Sequence, residues 1–328
     1  MKIGILRELL TQETRCAITP DVVRAYKRLG IDVIIEHLAG EKAGFDDALF
    51  EKEGALITQN RAQVLQSDVV VGVNPPLENE CLKIKENQIL MADFAFENKV
   101  FSNKATVLAL ERVPRISRAQ SMDILSSQSF IAGYQAAVSA MANLKKIVPL
   151  MMTSAATLTP VKALIIGAGV AGLQAISVLK RMGANVFATD IRVEAKEQVE
   201  SVGGKFLEIF DNQKEMLSEE LKTTDILITA AVGKGTKAPL LIDEQMLSLM
   251  PKGSVVIDVA GSNVPVKNNL SGICLIQNAH LERLLPVSAS ELFAYNVFNL
   301  ISNYGGANLT LDFDDEIIRE MCLCHKKE

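Results

Sequence analysis

The sequence predicts an α/β fold of two domains built on parallel sheets, the first completed by the C-terminal tail. Three observations point there. Short β-branched runs alternate with helical patterns from the first residue onward, a glycine turn joins a strand to a helix near mid-chain, and a late apolar helix leads the chain out of the second half. At 328 residues the length suits two domains, each with its own core.

The first half opens with an apolar run at residues 2–8, a helix over 20–30 and a strand over 32–36. Thr19 stands at the N-cap position, Pro20 in the first turn and Gly30 at the exit, which punctuates that helix at both ends. Further runs at 68–73, 88–94 and 106–111 extend the same sheet. A stretch without proline over 121–146 carries apolar residues at helical spacing, including Ile124, Leu125, Ile131, Ala137 and Met141, and reads as a long helix joining the domains.

The second half reads as a strand over 161–166, a glycine turn, a helix over 172–182 and a strand over 185–189, followed by strands at 225–230, 254–259 and 273–277. An apolar helix over 289–301 leads toward the tail and suits packing on the first domain. The expected division is 1–122, completed by about 300–328, for the N-terminal domain and 123–299 for the second. No internal repeat is visible in the sequence.

Composition narrows the function. With 48% hydrophobic and 22% charged residues the chain is an ordinary globular protein, and a net charge of −5 gives no basic footprint for nucleic acid. The opening MKIGILRELL runs straight into polar residues without the apolar core of a signal peptide, and the apolar region 147–179 is broken by Pro149, Pro160 and Lys162. These features predict a cytoplasmic chain without membrane insertion. Five scattered cysteines, Cys16, Cys81, Cys274, Cys322 and Cys324, fit free thiols in a reducing compartment. Cys322, Cys324 and His325 lack a complementary cluster, so no metal site is expected. His37 and His280 stand isolated and read as surface or loop residues.

Gly167-Ala168-Gly169-Val170-Ala171-Gly172 is a GxGxxG placed between a strand and a helix, the context in which it binds dinucleotides. Its glycines allow a tight turn, close approach of a pyrophosphate and close helix packing, and the helix N-terminus faces the negative charge. Asp190 lies 18 residues after Gly172 at the end of the next strand, where a carboxylate accepts from ribose hydroxyls and repels a 2′-phosphate. This favours NAD, with Ile191 beside it. Arg192 is the counter-signal, since an arginine there can receive a 2′-phosphate. The second sheet is therefore expected to be Rossmann-like, as is the first by its alternation.

A second stretch, Arg112-Val113-Pro114-Arg115-Ile116-Ser117-Arg118-Ala119-Gln120-Ser121-Met122-Asp123, precedes the long helix with three arginines, a glutamine and an aspartate, followed by Ser126 and Tyr134. By residue type it suits either a grip on a carboxamide or carboxylate, or a solvated hinge with an N-cap.

Here the sequence resembles a known family. Residues 1–20 and the runs ERVPRISRAQSMDILSSQSFIAGYQA, ATLTPVKALIIGAGVAGLQAI and ATDIRVEAKEQVESVGGKF are similar to the NAD(H)-binding component, domain I, of proton-translocating transhydrogenases. The alanine dehydrogenases are the related branch with the same two-domain fold. The resemblance implies NAD(H) in a cleft between the domains, with Arg115, Gln120 and Asp123 forming the loop at the nicotinamide end. It further implies Ser126 near the carboxamide, Tyr134 nearby, and Gly167, Gly169, Val170, Ala171, Gly172, Asp190, Ile191 and Arg192 along the rest of the cofactor. It implies direct hydride transfer to NADP on a partner subunit, a membrane subunit coupling the step to proton movement, a homodimer, and a peripheral position at the inner face of the membrane.

The alanine dehydrogenase reading is tested by the same residues. That branch uses a lysine and a histidine of its first domain, whereas the matching segments read Val71-Gly72-Val73-Asn74-Pro75-Pro76 and Met91-Ala92-Asp93-Phe94-Ala95-Phe96. Only Arg15 matches its substrate-carboxylate arginine, and an arginine without an acid-base partner does not suffice. The family also carries a longer, tyrosine-bearing lid after Phe206 and different loops at 259–265 and 278–283. Their shortening or replacement here leaves a third reading open, that of a non-catalytic NAD-binding subunit.

Overall fold

The computed structural model describes residues 1–96, 105–209, 213–232, 238–265 and 272–325. Its strands are β1 (Lys2–Ile5), β2 (Asp32–Glu36), β3 (Leu56–Thr58), β4 (Val69–Val71), β5 (Ile89–Ala92), β6 (Thr106–Ala109), β7 (Met151–Met152), β8 (Thr157–Leu158), β9 (Lys162–Ile166), β10 (Asn185–Thr189), β11 (Lys205–Phe206), β12 (Ile226–Thr229), β13 (Val255–Asp258), β14 (Cys274–Gln277) and β15 (Cys322–Cys324). The chain divides into two compact units, Met1–Gln128 with Arg283–Glu328, and Ser129–Glu282.

The first unit holds a sheet in the order β15-β6-β5-β4-β1-β2-β3. Strands β1 to β6 run parallel, and β15 closes the β6 edge antiparallel, so the C-terminal tail completes the sheet. The continuous apolar run of β4, all three residues buried, is the pattern of a strand covered on both faces. Tyr26, Phe50, Phe293 and the β-strand isoleucines fill the core on one side. Helix Pro286–Asn303 buries Phe293, Ala294, Val297, Leu300 and Ile301 in that same core. This is why the border falls at Arg283 and not near residue 300, and why residues 283–299 group with the first unit.

The second unit holds a six-stranded parallel sheet in the order β11-β10-β9-β12-β13-β14. An alanine-rich face of helix Ile124–Asn143 (Ala132, Ala136, Ala137, Ala140) packs in its core beside Ile165, Ile176 and Leu179. Small side chains bring that helix close to its neighbours. Although no repeat is visible in the sequence, the chain order of the six parallel strands is the same in both sheets, 3-2-1-4-5-6.

Two local expectations are corrected. Thr19 occupies the N-cap of helix Pro20–Arg28, but its hydroxyl makes no cap hydrogen bond and is buried without a partner. Backbone geometry and Pro20 start the helix instead. The helix after the glycine turn begins at Val170, two residues earlier than the motif's last glycine, because Gly169 already has the extended N-cap conformation.

Candidate functional site

In both sheets the chain leaves its first strand toward one side and later returns to the other, and the carboxyl ends at that switch form a ligand crevice in such folds. In the second unit the switch lies between β9 and β12, and the glycine turn follows β9. Gly167 has φ +98, and a Cβ there would press on the backbone of Ala230 and Ala231. A Cβ on Gly172 would overlap the carbonyl oxygen of Gly167. At Gly169, by contrast, an added Cβ would meet nothing within 4 Å, so the backbone faces open space. Val170, Ala171 and Gly172 form the first turn of the following helix, whose N–H groups have no partner within the helix and carry the positive end of its dipole. This open backbone cradle fits a pyrophosphate, and the fold fits a dinucleotide.

Asp190 follows β10 and its carboxylate is fully engaged. Oδ1 accepts from the backbone N–H of Arg192 and from Arg192 Nε, both at 2.9 Å. Oδ2 accepts from the backbone N–H of Ala168 at 2.8 Å and from Arg192 Nη2 at 3.0 Å. Burial pushes this carboxyl up, but the hydrogen bonds from Arg192 and Ala168 outweigh it and hold the group below its ordinary range. Ile191, 87% exposed, is an apolar surface beside the pair.

Two supporting residues escaped the sequence reading. Asn263 is fully buried, and its amide donates to Ala231 O (2.9 Å) and Pro239 O (2.8 Å) while accepting from Ala231 N (3.1 Å), pinning the backbone that packs against Gly167. Gly133 lets helix Ile124–Asn143 press on the glycine turn, since a Cβ there would overlap the carbonyl of Ala171. A glycine inside a helix is costly to helix stability and was a usable signal; nothing in the loop around Asn263 marks it. Tyr134, next to Gly133, is 42% exposed.

The remaining candidate residues belong to the first unit. Residues 117–122 form a 3-10 turn, and Asp123 follows it at 8% exposure. Its carboxylate accepts from Ser126 N (3.0 Å) and Ser126 Oγ (2.6 Å), capping the long helix, which starts at Ile124. The segment is anchored: Asn296 and Asn299 donate to Ser121 O, and Arg118 makes a bidentate pair with Asp315 at 2.6 Å. Arg115 and Gln120 are exposed on the segment so held.

At the switch of the first unit, between β1 and β4, the crevice contains a buried ion network. Glu13 is inaccessible and binds Arg15 in bidentate fashion, at 2.7 and 2.8 Å, with Arg283 Nε 3.0 Å away. Arg15 also donates to Gln128 Oε1 at 3.0 Å. Asn74 donates to both Glu13 (3.1 Å) and Glu8 (2.8 Å). Burial raises Glu13, yet the arginines prevail and bring it down to about 2; Glu8, in which burial prevails over its hydrogen bonds, is pushed up to about 7. A cavity of about 350 Å³ opens beside Glu8, Arg61, Asn74 and Asp93.

Among the described residues no group of His, Cys, Asp and Glu has the arrangement of a metal site; His325 stacks on Phe313 at 3.7 Å and hydrogen-bonds Thr106. His37 pairs with Asp47, and His280 lies 3.3 Å from Glu282. The expected lid region after Phe206 includes residues 210–212, which lie outside the described residues.

Comparison with known proteins places this architecture. Family models described as the alanine dehydrogenase/PNT N-terminal and C-terminal domains match residues 4–132 and 136–328. The first section of NAD(P) transhydrogenase subunit alpha from Rhodospirillum rubrum is 38% identical, over 98% of this chain and 96% of that protein. Alanine dehydrogenase 2 of Staphylococcus aureus is 32% identical over 79% of this chain and 72% of its own. A solved transhydrogenase from Sinorhizobium meliloti superposes with a TM-score of 0.91 at 34% identity, over 99% of both chains. The Rhodospirillum alignment runs over 368 positions against 328 residues here, so at least 40 positions of that relative have no counterpart.

Proposed function

This chain belongs to the alanine dehydrogenase/PNT family, and from that membership we propose that it is the NAD(H)-binding subunit of a proton-translocating transhydrogenase. The observation that carries the reading is the near full-length similarity to a transhydrogenase alpha-subunit protein in a chain whose glycine turn fits a dinucleotide. Bound NAD(H) supplies the transferable hydride.

The residues of the chain act by position. The open backbone at Gly169 and the N–H groups of Val170, Ala171 and Gly172 hold the pyrophosphate. Asp190 takes the ribose, Ile191 offers an apolar face to the adenine, and Arg192 borders that pocket. Arg115 and Gln120 present donors to the nicotinamide end, Asp123 and Ser126 fix the loop that carries them, and Tyr134 lies on the helix that follows. Direct transfer to NADP on a partner subunit needs orientation and exclusion of water, and no proton-transferring side chain.

From the similarity to a transhydrogenase alpha-subunit protein we assign proton movement to a membrane subunit, with this chain peripheral at the inner face; no described helix is long and apolar enough to cross a membrane. The hairpin of β7 and β8 supports a homodimer: Leu150, Met151, Met152 and Leu158 are exposed on it or beside it, with Met152 at 75%. A contiguous exposed apolar feature of this kind suits burial against a second copy.

The loss of at least 40 positions relative to the Rhodospirillum subunit favours one other reading, a subunit that binds NAD(H) without turnover. Alanine oxidation finds no support, since Arg15 is committed to Glu13 and Gln128 and Asn74 stands in the lysine-bearing segment. The test is titration with NADH and NADPH followed by nicotinamide fluorescence, then reconstitution with an NADP(H)-binding and a membrane subunit. NADH binding with hydride transfer on reconstitution is expected. Binding without transfer selects the non-catalytic subunit, and absence of binding overturns both.

A further inference from the structure

An ionised carboxylate offers about four lone-pair positions, and all four on Asp190 are filled. Two donors, the backbone N–H groups of Ala168 and Arg192, are fixed by the chain. The other two, Nε and Nη2, belong to one guanidinium whose side chain is 52% exposed and whose Nη2 lies 3.3 Å from Ala168 O. A ribose diol therefore reaches Asp190 only by taking the place of this guanidinium. Among the described residues nothing comparable blocks the pyrophosphate end, where Gly169 faces open space.

We propose that the Arg192 guanidinium is a built-in competitor for the adenosine ribose, occupying its position on Asp190 and swinging outward when NAD(H) seats, so that Arg192 sets the affinity of the site. The inference rests on the NAD(H) reading above and deepens it. Displacement exchanges two charge-assisted hydrogen bonds for two from ribose hydroxyls, which is why the arginine weakens binding without abolishing it. Once displaced it remains two residues from Asp190, beside the ribose edge.

The test titrates NADH, by nicotinamide fluorescence, into the full chain and its Arg192→Ala, Asp190→Asn and doubly substituted variants, after thermal melts establish that each is folded. Arg192→Ala is expected to tighten NADH binding roughly twofold to fivefold, the range for a half-exposed ion pair. Asp190→Asn weakens it, and in that background removal of Arg192 brings much less gain, because the competition runs through the carboxylate. Arg192→Lys, a single point charge without the bidentate fork, falls between wild type and alanine. Unchanged or weaker binding in Arg192→Ala, or an equal gain in the Asp190→Asn background, overturns the competition while leaving the NAD(H) reading intact. Failure of wild type and every variant to bind NADH or NADPH overturns both.

Discussion

The two sheets share one order of parallel strands, yet the carboxyl ends at their switch points hold opposite contents. In the second unit the backbone itself is presented, with Gly169 facing open space and a half-exposed arginine side chain over Asp190. In the first unit the equivalent place is crossed by a chain of bonds that runs from Glu8 through Asn74 to Glu13 and on to Arg15. Topology creates the crevice twice; the side chains decide that one offers bare backbone to a phosphate and the other is lined by a network of its own ions.

The comparison can be broken most sharply at the glycines. Gly172→Ala forces a Cβ against the Gly167 carbonyl, and we expect destabilisation by about 3 kcal/mol together with loss of NADH binding, read by denaturant unfolding and titration. Gly169→Ala meets open space, so stability should hold within about 0.5 kcal/mol while NADH affinity falls about tenfold or more. An unaltered affinity in Gly169→Ala would remove the turn from the cofactor site.

In the first unit, Glu13→Gln removes the buried negative charge that faces Arg15 and Arg283. A loss of about 3–5 kcal/mol is expected, with NADH affinity little changed in the protein that remains folded. A matching collapse of NADH affinity would show that this crevice also serves the cofactor.

The smallest effect is pH-dependent. Glu8 rises from 4.5 to about 7 on folding, so the folded chain binds its proton more tightly, and this contribution to stability fades as pH climbs from about 4.5 through 7. Glu13, lowered to about 2, contributes above 4.5 and loses its contribution as pH falls toward 2. Melting temperatures of Glu8→Gln should vary less between pH 5 and 7 than those of wild type, by a few degrees; parallel curves would rule Glu8 out as the source.

Much of this architecture was legible because its signals are local. Alternating runs gave the strands of both sheets to within one or two residues at most ends, and the glycine turn declared its own context. The short edge strands β3, β11 and β15 carried too few residues for a pattern. The domain border near 300 was misplaced because a helix's sequence shows that it has an apolar face but not which core receives it. Thr19 has the right residue type for a cap, yet cap bonding depends on a rotamer set by packing.

For the candidate site the division is similar. Residue identity and spacing alone determined the GxGxxG and the acid after the next strand, and the family resemblance marked residues 71–76 as a segment without the lysine of the alanine dehydrogenases. The tertiary structure alone decided that Arg192 fills the carboxylate of Asp190, that Asn263 and Gly133 brace the turn, and that Arg15 belongs to Glu13. The physical reason is that a chain's spacing fixes which groups are available, whereas a hydrogen-bond partner is fixed by distances of about 3 Å between atoms that folding brings together.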